Sequence, residues 1–208
     1  MKALIEVHYL PSVAYFAALA DTKGIILERH EHYVKQTYRN RCHVNTSQGV
    51  STLIVPVTTN HTKTLITDLR IDYSQKWVNN HWRTIRSAYG KAPFFEHYAD
   101  DLEKVLYSKH EFLYDLNVRF LSLCLKWLKW GIPVTETLSY EPAAQPDAID
   151  LRSQINSKKP DNLSNFFRPS SYTQVFGNAF VENMSLIDLI SCEGPEAGRR
   201  IQASAMRK

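Results

Sequence analysis

Residues 2–29 read KALIEVHYLPSVAYFAALADTKGIILER, and this stretch decides the fold class. KALIEVH at 2–8 has the apolar content of a strand. Pro11 is suited to open a short helix, which sets Tyr15, Phe16 and Leu19 on one face. GIILER at 24–29 reads as a second strand. The connection of about 15 residues is near the lower limit for a βαβ crossover and implies parallel pairing.

Outward from this unit, HEHYVKQTYRNR at 30–41 is polar, aromatic and basic with no clean period, and reads as a loop. CHVNT and STLIVPV flank Ser47, Gln48 and Gly49, the pattern of a hairpin. Leu65, Leu69 and Ile71 suggest a further strand within 64–72. Trp77, Val78, His81, Trp82, Ile85 and Tyr89 then form a helical stripe over 77–89, ended by Gly90 and Pro93. Residues 94–107 read as a second helix and 111–130 as the strongest one, stopped by Gly131 and Pro133. A short strand is expected at 132–138, then a Pro-, Ser- and Asn-rich surface segment over 141–170. A last helix covers 185–192, with Ser185 as N-cap and Asp188 where a capping-box partner would stand. No internal repeat is present. The expected fold is one α/β domain over 1–208. Its mixed sheet comes mainly from the first 75 residues, as a βαβ unit plus a hairpin, covered by helices at about 77–130 and 185–192.

The chain has 208 residues, 44% of them hydrophobic and 12% aromatic, enough to bury a sizeable core without disulfides or a metal. Cys42, Cys124 and Cys192 are odd in number and far apart, which argues against a disulfide framework and fits a reducing compartment. The N-terminus is interrupted by Lys2, Glu6 and His8, unlike a secretory signal. No apolar run approaches the roughly 20 residues of a membrane span. A cytoplasmic protein with no membrane span is expected. A net charge of +4 is too mild to argue for nucleic acid. The glycines never cluster, so no phosphate-cradling glycine loop is expected.

The chemistry-bearing residues concentrate in four places. Lys35, Arg39, Asn40 and Arg41 suit a phosphate or carboxylate, because arginine forks bind such anions bidentately. Tyr33 and Tyr38 beside them are suited to stack on a base or sugar. In HWRTIR, His81 is a candidate general acid or base, and Arg83 and Arg86 share a second helix face. Glu28 closes the second strand, where ligands of α/β sheets gather, and is a candidate base. His30 and His32 alternate on an extended segment, so a divalent metal with His8 or Glu28 is an alternative, although no cofactor is expected and the spacing is not diagnostic. Cys42 follows Arg41, whose charge would lower its pKa. A Cys42–His43 pair, adjacent in sequence, seldom has catalytic geometry. Asp188 is expected to stabilise its own helix N-terminus.

Seven blocks carry a family resemblance: HYLPSVAYF (8–16), YVKQTYRNRCHV (33–44), LIVPV (53–57), HWRTIRSAYGKAPFFEHY (81–98), DLN (115–117), QVFG (174–177) and SLIDLISCEGP (185–195). In this order they resemble WbqC-like proteins across nearly the whole chain. The motif covers Lys35, Asn40 and Arg41. Where many relatives read Gln-Pro-Asn-Tyr, this chain has Val7, His8 and Tyr9. Where they read Pro-Asn-Leu-Ser, it has Glu182, Asn183, Met184 and Ser185. The resemblance implies a bacterial protein associated with surface-polysaccharide synthesis of the O-antigen type. Some relatives carry the label of glycine or aminoacyl transferase.

The expected function is therefore a group transferase for acyl or aminoacyl groups, acting on a sugar or nucleotide-sugar. Lys35, Asn40, Arg41, Arg83 and Tyr38 would hold a phosphorylated or nucleotide-linked donor, and Glu28 or His81 would take the acceptor proton. The alternative is a non-catalytic ligand- or partner-binding protein of the same pathway. Its mark would be an open apolar patch of Tyr38, Trp77 and Phe95.

Overall fold

A computed structural model describes residues 1–58, 63–156 and 160–206. The opening stretch folds as the βαβ unit: β1 (Lys2–Ile5), α1 (Val13–Leu19) and β2 (Ile25–Leu27). β1 and β2 pair in parallel with Ala3 opposite Ile25 and Ile5 opposite Leu27. Alternation divides the side chains. Ala3, Ile5, Ile25 and Leu27 enter the main core, whereas Leu4 and Ile26 lie on the other face of the sheet.

The antiparallel hairpin β3 (Arg41–Thr46) and β4 (Gly49–Ile54) forms around the expected turn, with Gly49 at φ +95°. It is a sheet of its own, and so are the short strands β5 (Val57–Thr58) and β6 (Arg70–Ile71). The helical periods hold closely: α2 spans Trp77–Tyr89, α3 Glu96–Tyr107 and α4 Leu113–Trp127. They bury Trp82, Ile85, Leu102, Leu106, Phe120 and Cys124 in the core beneath the hairpin and α1.

The main sheet has four parallel strands, with the β2-β1 pair at its centre. Its outer strands arrive late: β7 (Val134–Glu136) falls in the expected 132–138 strand, whereas β8 (Ala148–Asp150) lies inside the segment read as surface loop. Thus the central pair comes from the N-terminal residues and both edges from beyond residue 130. The chain moves in one direction from β1 through β2 to β7, then returns to the far side of β1. To keep the usual right-handed crossover, that return must cross the face opposite α1. Residues 137–145 do border that face, together with Lys2, Leu4 and Ile26.

The C-terminal part returns to the core through α5 (Leu186–Glu193) and α6 (Ala197–Ser204), the second of which packs on α1. Ser185 caps α5, its hydroxyl accepting from the Ile187 N–H. Asp188 does not complete a capping box. Its Oδ2 accepts instead from the Tyr172 hydroxyl at 2.6 Å and Gln174 Nε2 at 2.8 Å, fastening the 172–177 segment over the helix. The first turn of α1 is capped from far away in sequence: the Ala14 N–H donates to Asn183 Oδ1 at 3.0 Å. No helix among the described residues is long and apolar enough to cross a membrane.

Candidate functional site in a cleft at the carboxyl end of the parallel sheet

Each strand of the main sheet delivers a polar residue just past its carboxyl end: Glu6 after β1, Glu28 after β2, Thr137 after β7, and Arg152 shortly after β8. The point where strand order reverses lies between β1 and β8, the position where open α/β sheets place their ligands.

Behind this edge is a buried ionic network. Arg39 is 1% exposed. Its Nε and Nη2 donate to the two carboxylate oxygens of Glu31, both at 2.6 Å, and Nη2 lies 3.4 Å from Glu6 Oε1. Glu6 Oε2 accepts from the Ser153 N–H at 2.9 Å, and His8 Nε2 is 3.2 Å from Glu6 Oε1. Burial pushes the Glu6 carboxyl up, but Arg39 and His8 outweigh it and hold its pKa down at about 2. Burial lowers the pKa of His8 against the pull of Glu6, and burial raises that of Glu31 against the pull of Arg39. The guanidinium is thus spent on internal carboxylates.

The cleft, a cavity of about 540 Å3, is lined by none of these network residues; it lies over the sheet face opposite α1 and reaches from Lys2 and Ala148 to Glu28 and Thr137 past the carboxyl ends. Leu4, Ile26 and Ala148 form its apolar floor. Glu28, Thr135, Glu136, Ser139, Glu141 and Gln145 supply polar wall groups. The Glu28 side chain is fully buried. Its Oε1 accepts from the His30 N–H and the Thr137 hydroxyl, each at 2.9 Å, and its Oε2 accepts from Arg152 Nη1 at 3.0 Å. Arg152 also binds both oxygens of Asp150 and donates to the carbonyls of Glu141 and Pro142. Its guanidinium lies 5.0 Å from the Tyr140 ring centre.

The expected site residues do not converge on one point. Glu28 stands in the cleft wall. His81 does not line the cleft. It is buried on α2, with Nδ1 2.9 Å from the Tyr9 hydroxyl and a second bond to the Ile54 backbone. Burial lowers its pKa to about 4, so it is neutral at pH 7. Tyr38 and Asn40 are buried, with Asn40 Nδ2 donating to the Val55 carbonyl at 3.0 Å. Lys35 and Arg83 are exposed, and Arg41 is half-buried at the start of β3. Arg39, read as an anion-binding group, is closed off by Glu31 and Glu6.

Three other expectations are corrected or narrowed. Tyr38, Trp77 and Phe95 are all buried, so they form no open apolar patch. Burial pushes the Cys42 thiol up, overriding any help from Arg41. His30 Nε2 meets the Thr137 carbonyl at 3.1 Å while His32 is exposed, and no group of three His, Cys, Asp or Glu among the described residues is arranged to hold a metal ion. Glu6, Glu31 and Arg152 were not singled out from sequence. Glu6 alone had a signal, as an acidic residue closing the first strand, symmetrical with Glu28.

Comparison with known proteins agrees with the earlier resemblance. The profile of the WbqC-like protein family matches residues 7–166. The uncharacterized protein Rv1507c of Mycobacterium tuberculosis is similar to this chain, 28% identical over 222 aligned positions that cover 94% of each protein. No solved structure matches. The profile begins after β1 and covers α1, β2, the hairpin, α2 to α4, β7 and β8, and on that match the chain belongs to the WbqC-like family.

Proposed function

We propose that this protein is a group transferase that moves an acyl or aminoacyl group onto a sugar or nucleotide-sugar in bacterial surface-polysaccharide synthesis. The acceptor sits in the cleft, and Glu28 takes its proton. The observation that carries this reading is a fully buried carboxylate at the carboxyl end of a parallel strand, in the wall of a cleft of about 540 Å3 bearing hydroxyls and carboxylates. In the reaction a lone pair on the acceptor oxygen or nitrogen attacks the acyl carbonyl carbon. The bond from that carbon to the donor's leaving group breaks, and the acceptor proton passes to Glu28. Lys35, Arg41 and Arg83 are the basic candidates that reach solvent, but none of them lines the cleft, so Arg41→Ala tests a donor-phosphate site separate from the Glu28 step. Tyr38 and Asn40 shape the segment that carries two of them.

The test is turnover, followed by mass spectrometry, with acyl and aminoacyl donors against sugar and nucleotide-sugar acceptors. Glu28→Gln should cut turnover by about 100-fold or more, the range of a general base. Arg41→Ala should weaken a phosphorylated donor by about 1.5–3 kcal/mol, the scale of a charge-assisted hydrogen bond. A folded Glu28→Gln protein with full turnover would sink the assignment.

One observation favours a second reading, a ligand-binding protein without catalysis. Both Glu28 oxygens already accept hydrogen bonds, which is the condition of a carboxylate that holds structure. Binding without turnover across the panel would favour it.

A further inference from the structure

The roof of the cleft is the connection from β7 to β8. Leu138 at its start is 96% exposed and Tyr140 is 54% exposed, so neither is packed into the core. Among the described residues, the hydrogen bonds reaching 138–144 from outside the segment all come from Arg152. The same guanidinium covers Glu28. One side chain therefore closes the roof and occupies the buried carboxylate.

Arg152 has somewhere else to go. Its Nη2 is 2.6 Å from Asp150 Oδ2 and its Nε 3.0 Å from Asp150 Oδ1, so it stays paired when Nη1 leaves Glu28. Glu28 has no such reserve. Oε1 is served by a backbone N–H and a hydroxyl, while Oε2 has Arg152 alone. A buried carboxylate that loses its cation needs another. The nearby cations are already engaged: Arg29 is paired with the lining residue Glu136 at 2.7 Å, and Lys2, the basic residue among those lining the cavity, is 3.6 Å from Asp147.

We infer that the ligand of this cleft carries a protonated amine, and that its ammonium replaces Arg152 on Glu28 as the roof opens. The inference deepens the proposed function by naming the charge of the acceptor. An ammonium must lose a proton before it can attack a carbonyl, and Glu28 would be the base beside it.

The experiment is an NMR titration of the full chain with glucosamine, glucose and methylammonium at matched chloride. Both amines should shift the amides of Glu28, His30, Thr137 and residues 150–153, and glucose should not. Arg152→Leu removes the internal competitor and should tighten amine binding by about tenfold, the scale of one charge-assisted hydrogen bond. Asp150→Asn removes the resting place of Arg152, commits the guanidinium to Glu28 and should weaken amine binding. A folded Arg152→Leu protein with unchanged or weaker amine affinity would overturn the inference, and so would the absence of shifts with any probe. Equal binding of glucose and glucosamine would overturn it while leaving a sugar acceptor standing. Methylammonium alone shifting Glu28 would support it and count against the sugar.

Discussion

Arg39 shows how one residue's role depends on partners that lie apart in sequence. Read in the chain, it belongs to a basic run suited to phosphate. Folded, it is clamped by Glu31, eight residues away, and by Glu6, thirty-three away. Charge type was legible, but pairing was not, because nothing in the run announces which carboxylates will meet it. Arg39→Met should destabilise the protein by about 3–5 kcal/mol in urea unfolding, since it strands two buried carboxylates. Adding Glu31→Gln to that variant should restore part of the loss. His81 makes a pH prediction. Its folded pKa of about 4 lies below its ordinary 6.5, so the unfolded chain takes up the proton first as pH falls. Its contribution to stability is complete above 6.5 and fades towards 4. Glu6, lowered from 4.5 to about 2, adds a second loss between those values. His81→Gln should reduce the slope of melting temperature against pH between 6.5 and 4, the buried His8 keeping part of it, and leave the lower limb.

Among the elements, the three long helices and the hairpin were legible because each carries its own period over enough residues to be counted. β8 and α6 were not. β8 is three residues of AID in a polar stretch, and it is a strand only because β1 offers an edge. The cap of α1 was equally hidden, since Asn183 lies 169 residues from the N–H it satisfies. Asn183 sits at φ +55°, a conformation asparagine tolerates better than most residues. Asn183→Ala should therefore cost about 1–2 kcal/mol, a cap and a strained backbone together, by chemical denaturation. Gly194 closes α5 at φ +52°, and a Cβ there would stand 2.5 Å from the Phe94 ring. Gly194→Ala should lower the melting temperature, with the change in near-UV dichroism expected of disturbed aromatic packing.

For the whole molecule, α/β character was legible from the first 29 residues, and the cleft was not. It is made by the return of the chain across the sheet, and no local pattern encodes a crossing. The C-terminal residues are part of the same closure. Ile201 and Ala197 of α6 are buried, Ala205 bridges to Phe167, and the Arg168 N–H donates to the Ser204 carbonyl. Deleting the chain from Ala197 onward should cost several kcal/mol, about the burial of one isoleucine plus the α1 surface it covers, and should broaden the thermal transition. The strand order β7-β2-β1-β8 also has a consequence for synthesis. Residues 2–5 leave the ribosome about 145 residues ahead of 148–150, which at about 5–20 residues per second is roughly 7 to 30 seconds. Until residue 134 emerges the nascent β1–β2 pair has an open edge on each side, and the β1 edge stays open until 148–150. Chaperone capture on the ribosome should peak before residue 134 emerges and fall once β7 and β8 close both edges.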